Sequence, residues 1–104
     1  MERGITHYGG YIPRLRMSRD TIFKAHAWMN PGLRGASAGM RSFGDWDEDA
    51  ITFGVEAVRD ALPEKARNSV ERFILCSTSS PFAYRQNATI AASALNLDPR
   101  VQCQ

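Results

Sequence analysis

A run of hydroxyl-bearing residues, Ser77-Thr78-Ser79-Ser80, stands immediately after the apolar residues Phe73-Ile74-Leu75-Cys76 and before Pro81-Phe82. Apolar residues in unbroken succession read as a strand covered on both faces, as in a parallel sheet. Ligands of open α/β sheets gather at the carboxyl ends of such strands. Thr78, Ser79 and Phe82 are therefore candidates for lining a substrate pocket. The plainer alternative for Thr78 is a hydrogen bond to the backbone ahead of the next helix. The two thiols, Cys76 and Cys103, are far apart and lack metal-ligand spacing. Cys76 reads as core and Cys103 as part of a strand. A disulfide framework is not expected, which points to a reducing, cytoplasmic compartment. Arg14, Arg16 and Arg19 form the one basic concentration, read as a solvated face or a phosphate contact. His7 and His26 have no catalytic partner nearby in sequence and read as structural.

These residues need elements to hold them. Residues 4–12 read as a strand on their β-favouring bulk (Ile5, Tyr8, Tyr11, Ile12), with Gly9-Gly10 marking a bulge or a close backbone approach. Pro13 then stops the ladder, since it brings no amide donor. Ser18 is placed to cap a helix over residues 19–29, which Asn30-Pro31-Gly32 ends. Residues 30–44 hold four glycines and read as a long loop, mobile or covering a substrate. A helix is expected over residues 47–62, with Asp45 and Glu48 as a capping box and Asp47, Glu48 and Asp49 in the first turn. Its apolar face is Ala50, Phe53, Gly54, Ala57, Val58, Ala61 and Leu62, broadened by Ile51 and Val55. The acidic run is thus a helix start before it is a metal site, and no metal is expected. A strand over residues 72–78, a helix over 83–95 capped by Asn96, and the start of a strand at Val101-Gln102-Cys103 complete the order. That order is α/β.

The bulk properties fit one small soluble domain: 104 residues, 43% apolar, 23% charged. A net charge of +2 spread over 13 scattered basic residues gives no case for nucleic acid. The N-terminus has no continuous apolar stretch and the longest apolar run is four residues, so neither a secretory signal nor a membrane span is expected. A strand covered on both faces needs more protein than this, so a fragment or a subunit is expected.

The residues also carry a resemblance. Gly4-Ile5-Thr6-His7-Tyr8-Gly9-Gly10-Tyr11-Ile12-Pro13 resembles the opening strand of the hydroxymethylglutaryl-CoA synthase and ketoacyl synthase III families, which begin G-I-x-x-Y-G-x-Y-I-P. Asp47-Glu48-Asp49-Ala50 with Val55-Glu56-Ala57-Val58-Arg59-Asp60-Ala61-Leu62 is similar to their first long helix, and Gly39-Met40-Arg41-Ser42 to the segment ahead of it. Ser77-Thr78-Ser79-Ser80-Pro81-Phe82-Ala83 and Asn87-Ala88-Thr89-Ile90 match the passage from strand to helix.

The resemblance implies a thiolase-like fold, of which residues 1–104 are an incomplete N-terminal part of the first α/β half. It implies an acyltransferase, usually a homodimer, that uses coenzyme A thioesters as substrates and holds no covalent cofactor. A cysteine takes an acyl group as a thioester, and an enolate equivalent from another thioester attacks it. Thiolate nucleophilicity suits the first step. On this register that cysteine falls beyond Gln104, so no catalytic residue is expected in this chain and the chain alone is expected to be inactive. The same resemblance makes Arg41 a candidate for contacting coenzyme A.

One position departs from the pattern. Hydroxymethylglutaryl-CoA synthases carry a general acid/base glutamate where this chain has Thr78, and a threonine hydroxyl does not shuttle protons near neutrality. Ketoacyl synthase III enzymes carry a Thr-Ser pair there, as here. The local chemistry thus leans to another condensation or to thiolysis. The alternative to an enzyme's N-terminal part is a non-catalytic α/β subunit that completes a thiolase-like complex with another chain; a stand-alone binding module is the third reading.

Overall fold

The computed structural model describes residues 2–104 and divides the chain into two units. One is Ile12–Asp47; the other joins the chain up to Tyr11 with Glu48–Gln104.

In the Ile12–Asp47 unit, strand β1 (Leu15–Ser18) pairs antiparallel with β2 (Met40–Phe43), Leu15 opposite Phe43 and Ser18 opposite Met40. Helix α1 (Arg19–His26) starts directly from Ser18. Ser18 sits at the cap position in an extended conformation, but its side chain makes no capping bond. The Arg19 N–H donates to the carbonyl of Gly39 instead. The helix ends at His26 rather than at residue 29, because Met29 and Asn30 both turn back onto the His26 carbonyl. Asn30 does more than end it. Its side chain accepts from the Gly32 N–H and starts a 3₁₀ helix, Pro31–Ala36, with Pro31 at the first turn where a missing donor costs nothing. The expected structureless loop over residues 30–44 thus contains a 3₁₀ helix and a strand. Gly39, at φ +82, supplies the left-handed turn that feeds β2.

In the second unit, α2 (Ala50–Ala61) begins one turn later than expected. Asp49, not Asp45, is its cap: the carboxylate accepts from Ile51 and Thr52 N–H, and the Thr52 hydroxyl accepts from the Asp49 N–H. The acids at 47–49 therefore precede the first turn. Ile51 and Val55 are the buried residues of this helix and Val58 packs beside them. The bulky residues at i, i+4 and i+7 take the core side, and the small residues given the central place in the expected face lie at its margin. After Leu62, Pro63 leads into an unforeseen 3₁₀ helix, Glu64–Ser69.

Strands β3 (Arg72–Phe73) and β4 (Gln102–Cys103) run parallel, with helix α3 (Asn87–Ala94) between them in sequence. This is a βαβ unit. Bonds from Leu75 N–H to the Gln104 carbonyl and from Gln104 N–H to the Phe73 carbonyl extend the pairing beyond the formal strands. Helix α3 is shorter than the expected 83–95, since the side chain of Asn87 bonds backwards rather than letting the turn begin earlier. Its end is as expected. Asn96 adopts φ 54, its N–H reaches the Ser93 carbonyl, and Leu97 N–H reaches the Ala92 carbonyl. That is a Schellman motif, with buried Leu97 against Ala92 as its apolar contact. Ala91, Ala92 and Leu95 of this end, with Ile51, Val55 and Leu97, form the core.

Two expectations fail at the strands. Residues 4–12 make no ladder, and Ile5 and Tyr8 are exposed. The run 73–76 is covered on one face only: Phe73 and Leu75 pack on the core, whereas Ile74 is 56% exposed and Cys76 is exposed. Cys76 is therefore not a core thiol. Strand alternation turns it outward with Ile74.

Candidate functional site

Parallel pairing of β3 with β4 sets both carboxyl ends at one edge. The polar segment 77–82 leaves from the β3 side of that edge, and Cys103-Gln104 lies on the β4 side. Within the segment, the Ser77 hydroxyl accepts from the Ser79 N–H at 3.1 Å, a local turn that serine favours. Thr78 sits at the tip of this turn, exposed, and its hydroxyl makes no hydrogen bond among the described residues. Ser79 is exposed as well, its hydroxyl 3.5 Å from that of Ser77. Phe82 is 40% exposed, with the Arg85 guanidinium carbon 5.7 Å from its ring centroid. The backbone-bonding role open to Thr78 is taken by another residue: Asn87 accepts from the Phe82 N–H and donates to the Phe82 carbonyl.

Gln86 links the two sides of the edge. Its amide donates to the Cys103 carbonyl at 2.7 Å, and its carbonyl oxygen accepts from the Thr89 hydroxyl. Cys103 is half-buried in the β4 ladder, its thiol 3.8 Å from the Val101 carbonyl. The turn that delivers β4 is fixed by Asp98, whose carboxylate accepts from the backbone N–H and the guanidinium of Arg100. Those bonds, the side-chain one first, hold the Asp98 carboxyl down to about 2. Beside this turn, Gln86, Thr89, Ser93, Pro99 and Cys103 help line a cavity of about 520 Å³. Sequence reading missed Gln86 and Asn87 as site residues. The usable signal was an amide pair at the start of an alanine-rich helix, Gln86 at its cap position and Asn87 its first residue.

Arg41 lies in the other unit, on β2 opposite Met17, and helps line a cavity of about 50 Å³ with Arg19, Ile22, Phe23, Leu33 and Ala36. That space is far below the roughly 300–1,000 Å³ of a small-molecule site. Of the arginine concentration, Arg14 pairs with Asp45 at 3.4 Å and Arg16 donates to the carbonyls of Pro13 and Leu15. His7 is exposed, with its ring nitrogen 3.0 Å from the neighbouring Thr6 hydroxyl, and His26 is exposed. Among the described residues no three His, Cys, Asp or Glu side chains are grouped to hold a metal, and no helix is long and apolar enough to cross a membrane.

No family model matches the chain. In sequence it is similar to the hydroxymethylglutaryl-CoA synthase of Thermococcus sibiricus, 37% identical over 98 residues, covering 92% of this chain and 27% of that protein. The same-named protein of Thermoplasma volcanium is 40% identical over 100 residues, covering 91% of this chain and 28% of that one. The chain thus spans only 27–28% of the length of these curated relatives. In fold it matches the β-ketoacyl-[acyl carrier protein] synthase III of Thermus thermophilus with a TM-score of 0.76 at 19% identity, over 98% of this chain and 32% of that one. A 3-oxoacyl-(acyl-carrier protein) synthase of Burkholderia xenovorans matches with a TM-score of 0.66 at 14% identity, over 93% of this chain and 29% of that one. The architecture is part of the thiolase-like α/β fold.

Proposed function

We propose that this chain, hydroxymethylglutaryl-CoA synthase-like in sequence and thiolase-like in fold, forms the N-terminal part of an acyl-CoA condensing enzyme. The reaction is carbon–carbon bond formation between thioesters, or its reverse, thiolysis. The observation that carries this reading is the shared edge, where the parallel β3–β4 pair brings the segment 77–82 beside the end of β4. In such a site a cysteine accepts the acyl group and the coenzyme A thiol leaves. An enolate from the second thioester then attacks the carbonyl carbon of the bound acyl group, the carbon–sulfur bond to the cysteine breaks, and the cysteine leaves as thiolate. Neither thiol of this chain is assigned that role: Cys103 is engaged in the β4 ladder, and the nucleophile is placed beyond Gln104.

Thr78, Ser79 and Phe82 line the acyl pocket in this proposal, Thr78 facing the nucleophile and Phe82 forming wall. The free hydroxyl of Thr78 supports this, since it is not consumed by the backbone. Arg41 is assigned to coenzyme A, as a surface contact rather than a walled site. Acyl-CoA thioesters are the substrates, no cofactor is covalently bound, and the enzyme is a cytoplasmic homo-oligomer.

The outward face of β3 supports a second reading. Exposed Ile74 calls for cover, at roughly 25 cal/mol for each Å² taken from water. A complementary chain carrying the cysteine would supply it, and this chain would then contribute pocket walls alone.

Kinetics on the full-length protein test the pocket. Thr78→Val removes the hydroxyl with little change of shape, and Thr78→Glu installs the carboxylate of the synthase pattern. A loss of about tenfold or more in kcat/KM, about 1.4 kcal/mol in the transition state, is expected for Thr78→Val. Thr78→Glu is expected to alter substrate choice. Unchanged kcat/KM for both, with stability intact, would remove Thr78 from the site.

A further inference from the structure

We propose that Asn87 is a positioning residue that sets acyl-chain selectivity by clamping Phe82. The inference rests on the pocket reading of residues 77–82 and goes beyond it by naming what fixes the wall.

Asn87 is the first residue of α3, one past the cap position held by Gln86, and its amide faces back along the chain. The carbonyl oxygen accepts from Phe82 N–H at 3.1 Å, and the amide nitrogen donates to the Phe82 carbonyl at 3.0 Å and the Arg85 carbonyl at 3.4 Å. Both side-chain donors and the acceptor are thus committed to the preceding loop. The two reciprocal bonds to one residue imitate a strand pairing and leave Phe82 little freedom about its backbone. They also fix which way round the amide lies, since the reverse orientation would set donor against donor and acceptor against acceptor. Asn87 is half-buried and belongs to a helix whose next residue, Ala88, is buried. The clamp therefore ties the backbone that carries an exposed ring to the start of a helix packed in the unit's buried interior. The adjacent Gln86 holds the Cys103 carbonyl. Neighbouring residues at one helix start so fix both sides of the carboxyl edge, and with them the spacing between the Phe82 wall and the end of β4. A wall held by the backbone on both sides has a set depth, which is what discriminates acyl chains by length.

The test uses the full-length protein and a series of acyl-CoA substrates of increasing chain length. Asn87→Leu keeps the volume and removes every bond; Asn87→Asp keeps the acceptor for Phe82 N–H and loses the donors. Two readouts are taken: hydrogen exchange at the Phe82 amide, and the ratio of kcat/KM between short and long acyl chains. A merely structural role would lower all substrates together and leave the ratio alone. Asn87→Leu is expected to speed Phe82 exchange and flatten the ratio about tenfold, with Asn87→Asp intermediate in both. Should Asn87→Leu fail to fold, Asn87→Asp carries the comparison alone. An unchanged ratio in the folded variants, while Thr78→Val still lowers kcat/KM, overturns the clamp and leaves the pocket standing. If Thr78→Val is silent as well, the pocket reading fails and the clamp falls with it.

Discussion

Gly9 lies against the last turn of α2 so closely that a Cβ there would stand 2.6 Å from the backbone nitrogen of Ala61 and 2.7 Å from a carboxylate oxygen of Asp60. The same carboxylate accepts from the Gly10 N–H at 3.0 Å. Two residues on, the Tyr11 ring packs 5.8 Å from that of Phe53, and its hydroxyl donates to Glu48. The N-terminal segment, which forms no ladder, is therefore tied to α2 by close approach and side-chain bonds.

Gly9→Ala is expected to destabilise the protein by about 1–3 kcal/mol, the usual range for forcing atoms into a packed contact. The backbone of Ala61 cannot step aside as a side-chain tip could. Gly10 is the control, since a Cβ there meets nothing within 4 Å. Denaturant midpoints of the two variants decide it. Equal midpoints would mean the segment is not held against α2.

Asp49→Ala is expected to cost about 1 kcal/mol through loss of the α2 cap. Both Ile51 and Thr52 N–H lose their acceptor, and of the capping bonds there remain those of the Thr52 hydroxyl, which accepts from the residue-49 N–H and donates to its carbonyl. Asp45→Ala, the change that a capping box read from sequence would single out, leaves these bonds in place. Thermal unfolding of both variants distinguishes the caps, and a larger loss at Asp45 would reverse the assignment.

The Asp98 carboxyl sits at about 2 against an ordinary 3.8, held there by the Arg100 side chain first and the Arg100 N–H second. Between these values the unfolded chain binds more protons than the folded one, so stability rises with pH across that window. The contribution is complete above about pH 4 and is lost as pH falls through about 2. Asp98→Asn is expected to be less stable than the parent at about pH 6, with the gap closing toward about pH 3. A gap constant over that range would show that the charge on Asp98 plays no part. Because Arg100 is almost fully exposed, added salt should narrow the gap as well.

Legibility in the sequence followed the range of the interactions. The α/β order, the parallel strand after the alanine-rich helix and the Asn96 cap were readable because each is written in a few neighbouring residues. The Asp49 cap was missed in favour of Asp45 because Asp45 alone among the four acids has a glutamate three residues on, whereas Asp49 is answered by Thr52, a hydroxyl outside the usual pattern. Cys76 was misplaced because an apolar run does not reveal which face has a partner. Residues 30–44 looked structureless because β2 is an exposed strand, held by pairing to β1 rather than by burial. At the candidate site, the polar segment was visible as letters. Its clamp was not, since the bonds from Asn87 to Phe82 span five residues.

Gly54 offers a test in which two effects of opposite sign compete. It stands inside α2, where replacing glycine by alanine gains about 1 kcal/mol of helix propensity. A Cβ there would lie 2.9 Å from Leu75 Cδ1, too close to stand without movement. The obstructing atom is the methyl tip of a half-buried leucine, a side-chain end that can turn where backbone could not. Moving a side chain about 30° off its rotamer costs roughly 0.5–1.5 kcal/mol, and a smaller shift costs less. Gly54→Ala is therefore expected to raise stability by a few tenths of a kcal/mol, on the order of half the propensity gain. Gly54→Val should reverse the sign, because its added methyl groups press on Leu75 while its branching weakens the helix. Urea midpoints for the pair are the measurement. A loss above about 1 kcal/mol for Gly54→Ala, the usual scale of overpacking, would mean that Leu75 is locked in place on the core.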